Sequence, residues 1–206
     1  FCAGGDVKDM AATRGAPIEN GVDPIAAYNR RFGTVISAVE RAPQVTVAVL
    51  EGAVLGGGFG LACVVDIAIA KHDASFGLPE TGLGIPPAQI APFVVRRIGL
   101  SQAKRLALTG ARFDGKRAKE LGLVHDVVDD RTLTETVAET LTQIRRCAPG
   151  ANAATKAIML QAGSTALPEL LDDAAAHFAA ATRGPEAAEG MMAFVQKRKP
   201  SWAVDA

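Results

Sequence analysis

The chain has 206 residues, 49% hydrophobic and 21% charged, which is enough apolar material for a sizeable core and excludes disorder as the ground state. Lysine plus arginine and aspartate plus glutamate both number 22, so no charge excess points to a nucleic acid or a membrane surface, and a small-molecule site is the default. Three cysteines without CxxC spacing argue against a disulfide framework or a zinc centre, and with no apolar run of roughly 20 residues and no signal-type opening the expectation is a cytoplasmic protein.

The chain opens on Phe1-Cys2-Ala3-Gly4-Gly5-Asp6 without an initiator Met, as a sequence beginning inside a longer protein would. Asp23 as a cap, Pro24 at the first helical position, and Ile25, Tyr28, Phe32, Val35, Ile36 and Val39 at helical spacing predict a helix over 24–42, ended by Pro43. Residues 45–50 have the β-branched, apolar character of a buried strand. The triplet Gly56-Gly57-Gly58 follows, and Leu61 to Val65 can continue a helix begun in it. A strand-to-helix turn at the glycines would aim free N–H groups and the positive end of a helix dipole at an oxyanion or a phosphate. A packing loop that only glycine fits is the alternative.

Further strands are expected at 66–70 and 74–78, and this alternation predicts βαβ units with a parallel sheet. The pattern changes at the breaker-rich Gly82-Leu83-Gly84-Ile85-Pro86-Pro87. Beyond it the chain reads as helical, over 88–98, 101–109, 114–120, 130–147, 151–162, 168–182 and 185–197. Leu167, Leu170, Leu171, Ala174, Phe178 and Ala181 form an apolar stripe that would pack on a core or on a second subunit, core being the simpler reading.

Two glycine turns far apart in sequence, Ala3-Gly4-Gly5-Asp6 and Gly56-Gly57-Gly58, could each present one backbone N–H to the same oxygen. Glu80, in Phe76-Gly77-Leu78-Pro79-Glu80, is the candidate acid/base, its pKa expected to rise through burial against Phe76, Leu78 and Leu83. A solvated or helix-capping glutamate is the alternative. His72, His125 and His177 lie outside these motifs and read as structural or surface residues.

In this order, Phe1 to Met10, the glycine triplet with Leu61-Ala62-Cys63-Val64-Val65-Asp66, and Phe76 to Glu80 resemble the enoyl-CoA hydratase/isomerase family, the crotonase superfamily. The resemblance continues through Leu106 to Gly110, Ala118 to Val124 and Glu189 to Arg198, and so covers essentially the whole chain. It implies an α/β fold of the ClpP/crotonase type, a stacked ββα superhelix. The core would span 1–125, the N-terminal part of the family core lying outside this sequence, and a C-terminal helical trimerisation region would span 126–206.

By the same resemblance the Ala3 and Gly57 amides form an oxyanion hole and Glu80 transfers protons. Ala3, Gly4, Gly5, Asp6, Gly56, Gly57, Pro79 and Gln89 are the expected substrate- and CoA-binding residues. No metal or separate cofactor is expected, since coenzyme A is part of the substrate. The expected partners are an acyl-CoA and further copies of the chain in a homotrimer or dimer of trimers, with Phe194 or Lys197 reaching a neighbour's CoA, and neither nucleic acid nor membrane.

One position departs from the family pattern. A glutamate is usual soon after the glycine triplet, and here that position is Gly60. Hydration with one glutamate, double-bond migration as in an enoyl-CoA isomerase, another reaction of the enolate, and silent acyl-CoA binding all stay open. The glycine triplet with Phe59-Gly60-Leu61, together with residues 80–99, resembles the hydratases of 3-branched glutaconyl-CoA thioesters. Of these, isohexenylglutaconyl-CoA hydratases are nearer than 3-methylglutaconyl-CoA hydratases. The carboxylate of such a substrate could help hold the attacking water. It would also need a polar partner, for which Gln89 is the nearest candidate, while Arg96 and Arg97 read as solvated or ion-paired surface.

Overall fold

The computed structural model describes residues 1–6, 8, 10, 15–18 and 20–203, so Val7 and Asp9 of the opening motif lie outside the described residues. Two units are formed, one from Phe1–Glu40 with Thr46–Leu133, the other from Arg41–Val45 with Thr134–Ala206.

In the first unit, Asp23 caps helix α1 (Pro24–Glu40) as its position predicts: its Oδ1 accepts the Ile25 and Ala26 N–H groups at 2.8 and 3.4 Å. Strand β1 (Val47–Leu50) is followed directly by β2 (Ala53–Leu55), and the left-handed Gly52, at φ 59°, turns the chain from one sheet into another. Helix α2 (Gly57–Val64), β3 (Ile67–Lys71) and β4 (Ser75–Gly77) follow. The ladders between these strands are parallel: β3 lies between β1 and β5 (Asp126–Val128) in one sheet, and β2 pairs with β4 in the other. Each strand pair thus contributes one strand to each sheet, which is the stacked ββα arrangement expected.

Two strands depart from the sequence reading. The glycine triplet follows β2, which lies between it and the run at 45–50, and β5 lies in the gap between the helices expected at 114–120 and 130–147, where no strand is expected. Both are three residues long, and such segments carry too little periodicity to announce themselves. Tertiary pairing creates them, through Val54↔Phe76 for β2 and Ile69↔Asp126 for β5. Central β3 is fully buried at Ala68, Ile69 and Ala70, which explains its continuous apolar run.

The core is built from Ile36, Leu50, Val54, Phe59, Phe76, Leu78, Val94 and Leu123, each worth about 1.5–3 kcal/mol of burial. Phe113 stacks on Phe76 at 5.5 Å and meets Phe59 edge-on at 6.1 Å. Helix α3 (Ala91–Thr109) is broken at Gly99, whose φ of 77° and ψ of 155° separate two straight segments close to the helices expected at 88–98 and 101–109. Asp114 caps α4 (Gly115–Glu120) by accepting the Arg117 N–H at 2.9 Å.

The second unit consists mainly of α5 (Leu133–Arg145), α6 (Pro149–Gln161), α7 (Leu167–Thr182) and α8 (Pro185–Val195). Glu186 accepts the Gly150 and Ala151 N–H groups at the start of α6, at 2.9 and 3.2 Å. Arg198 grips Glu189 through both terminal nitrogens at 2.6 and 2.8 Å, and Trp202 Nε1 donates to the Arg146 carbonyl at 3.3 Å. The apolar stripe on α7 divides: Leu170 is buried, whereas Leu167, Leu171 and Phe178 are exposed, so most of the stripe is not core of this chain. Among the described residues no helix is long and apolar enough to cross a membrane.

Candidate active site

The two glycine turns meet because Cys2 joins the sheet beside β2. The Cys2 N–H donates to the Ala53 carbonyl and the Leu55 N–H donates to the Cys2 carbonyl, both at 2.9 Å. The chain then leaves the sheet at Ala3-Gly4-Gly5, at the level where β2 passes into Gly56 and α2. Gly4, at φ 102°, lies so close to the second turn that a Cβ there would stand 3.3 Å from the Leu55 carbonyl and 3.7 Å from the Gly57 nitrogen. Gly56 fixes the second turn by donating its N–H to the Gly77 carbonyl at 3.1 Å.

Gly57 opens α2, so its N–H has no acceptor within the helix, and among the described residues neither it nor the Ala3 N–H has a hydrogen-bond acceptor. The reason for glycine differs along the triplet. A Cβ at Gly58 would overlap the Cys2 carbonyl oxygen and lie 2.7 Å from the Cys2 Cβ, so a side chain there would separate the two turns.

Glu80 begins a single 3-10 turn (Glu80–Leu83) after Pro79. Thr81 Oγ1 ties this turn to α3 by donating to the Ala107 carbonyl at 2.7 Å, and Gly84, at φ 77°, ends it. The Glu80 carboxylate lies against the second glycine turn, its Oε1 2.9 Å from where a Gly56 Cβ would be. Its Oε2 is buried without a hydrogen-bond partner among the described residues. Burial pushes the carboxyl above the usual carboxylate range, and a hydrogen bond to its own backbone draws it partly back. Phe76 and Leu78 are buried as anticipated, but Leu83 is 62% exposed and does little to bury the carboxyl.

A cavity of about 460 Å³ opens between these elements and α1. Ala3, Gly4, Gly5, Gly56, Gly57, Pro79, Glu80 and Gln89 all line it. Asp6 does not; its Oδ1 instead accepts the Lys8 N–H at 2.7 Å. Gln89 reaches α1, its Cδ 3.0 Å from where a Gly33 Cβ would be. The wall supplied by α1, from Tyr28, Asn29, Arg31, Phe32 and Val35, was not foreseen as part of a site. Tyr28, Phe32 and Val35 were legible as an apolar stripe, but nothing in the spacing said that this stripe would face a cavity. Arg31 and Glu80 are the two charged side chains among the described lining residues.

The remaining candidates fall elsewhere. Arg96 pairs with Glu40 at 2.6 Å, while Arg97 is half-buried and donates from Nε and Nη2 to the Leu123 carbonyl at 3.0 and 2.9 Å, so neither lines the cavity. His125 Nδ1 accepts the Ala68 N–H at 3.0 Å, and His72 and His177 are exposed. Burial pushes the Cys63 thiol up to about 12, which leaves it protonated and inert.

Gly60 of α2 does not line the cavity and is packed against Ile90 and the buried Ile36. A Cβ there would be 2.8 Å from the Ile90 Cβ and 3.1 Å from the Ile36 Cδ1, so two isoleucines close the space into which a side chain would project. The site therefore offers two amides without acceptors among the described residues on adjoining turns, one desolvated carboxylate and a largely apolar chamber. That combination suits stabilising an oxyanion while one proton moves.

A sequence profile of the enoyl-CoA hydratase/isomerase family matches residues 1–205. Mevalonyl-coenzyme A hydratase of Aspergillus fumigatus is 33% identical over 98% of this chain and 73% of its own length. Among solved structures, an enoyl-CoA hydratase/isomerase from Marinobacter aquaeolei superposes with a TM-score of 0.95 at 55% identity, covering 99% of this chain and 78% of that one. Pseudomonas aeruginosa AtuE superposes at 0.94 with 61% identity over the same shares. The chain belongs to the enoyl-CoA hydratase/isomerase family.

Proposed function

We propose that this enoyl-CoA hydratase adds water across the double bond of a 3-branched glutaconyl-type thioester, with Glu80 as its one acid/base. The observation that carries this reading is the carboxylate itself: half-buried, one oxygen without a partner, and next to the turn that presents the Gly57 amide. The thioester oxygen takes the Ala3 and Gly57 N–H groups. Glu80 removes a proton from water as the water oxygen bonds to the β-carbon, and the electron pair of the double bond moves toward the thioester oxygen. Glu80 then returns that proton to the α-carbon, so one water is added and the carboxylate is regenerated. Each amide donor contributes about 10²- to 10³-fold to such a step.

Ile36 and Ile90 support the single-glutamate form, because they fill the space that a second carboxylate, carried at position 60, would need. One carboxylate would equally serve as the shuttle of a double-bond isomerase, and this second reading rests on the same geometry. Mass-resolved turnover of 3-methylglutaconyl-CoA and isohexenylglutaconyl-CoA by the full-length protein separates them: hydration adds the mass of one water, whereas isomerisation leaves the mass unchanged.

The assembly belongs to the same proposal, as a homotrimer or a dimer of trimers. Leu167, Leu171 and Phe178 on α7 and Met191, Met192, Phe194 and Val195 on α8 are all exposed, with Phe178 at 74% and Phe194 at 86%. So much apolar surface on two consecutive helices suits burial against another copy of the chain.

A further inference from the structure

We propose that Arg31 anchors a carboxylate on the acyl chain of the substrate, and so makes the cavity selective for acyl-CoA thioesters that carry a second negative charge. The inference rests on the hydratase reading above and names the residue behind its substrate class.

The cavity lining is apolar except for a few groups, and among its described residues Arg31 is the one cation. Arg96 and Arg97 are already engaged elsewhere, by Glu40 and the Leu123 carbonyl. Arg31 has no carboxylate partner among the described residues, and its Cζ lies 6.0 Å from the Tyr28 ring centroid, a cation–π contact one turn back on the same helix. Tyr28 and Asn29 add a hydroxyl and an amide donor to the same stretch of wall.

Position separates the two anions that an acyl-CoA could bring here. Phe32, the next residue, places its ring so close to Gly57 that a Cβ there would be 2.7 Å from Cζ. Arg31 lines the same cavity as Gly57 and Glu80, the groups assigned to the reacting end of the thioester. The phosphates of coenzyme A lie a whole pantetheine arm away from that end. A guanidinium also matches a carboxylate with two parallel N–H donors.

The test compares 3-methylglutaconyl-CoA with 3-methylcrotonyl-CoA, which lacks the carboxylate, on the full-length wild type, Arg31→Gln and Arg31→Lys. The ratio of the two kcat/KM values should fall about 10- to 100-fold in Arg31→Gln, chiefly through KM for the carboxylated substrate, and recover in part in Arg31→Lys. An unchanged ratio overturns the proposal, whether both substrates keep their rates or both slow together, as a phosphate contact or a folding defect would make them do. Equilibrium binding of the unreactive glutaryl-CoA and butyryl-CoA gives a second readout that needs no turnover. A wild-type preference for glutaryl-CoA that is lost in Arg31→Gln supports the anchor even where hydration fails, and its absence sinks the anchor even where hydration holds.

Discussion

Gly56 and Glu80 are in direct apposition: the carboxylate occupies the space beside the glycine Cα, with Oε1 2.9 Å from where a Cβ would stand. The catalytic candidate and the turn that presents the Gly57 amide therefore set each other's position. Gly56 also holds φ 51° and ψ −119°, a conformation nearly confined to glycine. Gly56→Ala should cost about 1–3 kcal/mol through backbone strain. It should also lower kcat more than KM, because the displaced carboxylate no longer reaches the substrate. Thermal unfolding and steady-state kinetics on one preparation check both effects.

Glu80→Gln should lower kcat by about 10²- to 10⁴-fold, the usual range for a positioned acid/base. The folded chain should survive, since the amide is nearly isosteric and removes the ionised charge that burial disfavours. Circular dichroism together with turnover is the check, and retained hydration would remove Glu80 from the mechanism.

The pH dependence of Glu80 has a definite sign. Its folded pKa is raised above 4.5 by burial, so the folded state holds the proton more tightly than the unfolded chain does. Its contribution to stability is fully present below about pH 4.5 and is lost as pH rises through the elevated value. Activity moves the other way, because the base must be ionised, and kcat/KM should rise with pH through the same value. Urea denaturation of wild type and Glu80→Gln across pH 4–8 should show this slope only in the wild type.

Gly60→Glu should not install a second catalytic group. Its Cβ would be forced into Ile90 and Ile36, and overpacking of this kind costs about 1–3 kcal/mol even for a methyl group. Gly60→Ala should therefore lower the melting temperature, and Ile90→Ala, which removes the Cγ2 nearest the new methyl, should cost less in the Gly60→Ala background than in the wild type. Full stability of the single variant would show that the two isoleucines yield.

His125 must be neutral at Nδ1 to accept the Ala68 N–H, and burial, with Arg97 nearby, holds its pKa below 6.5. The stability from this contact is fully present above about pH 6.5 and is lost as pH falls through the depressed value. His125→Ala should cost about 1–3 kcal/mol by orphaning that N–H, and should flatten the acid limb of the stability profile. Chemical denaturation at pH 5 and pH 8 checks it.

The sequence by itself determined the local elements and the chemistry on offer. Asp23 and Pro24 start α1 because a cap and a fixed φ act within one turn, and the breaker-rich segment after Glu80 ends regular structure for equally local reasons. The two glycine turns, Glu80 and the departure at Gly60 were legible as residue types in order. Tertiary structure decided what those residues face. The pairing of Cys2 with Val54 brings together turns fifty residues apart, and β2 and β5 exist because neighbouring strands complete their hydrogen bonds. The folded chain seals Gly60 with Ile90, ties Arg96 to Glu40, and turns Arg31 of α1 toward the cavity. A helical period gives the angle between side chains on one helix, whereas the surroundings each one meets are fixed only when the other elements pack around it.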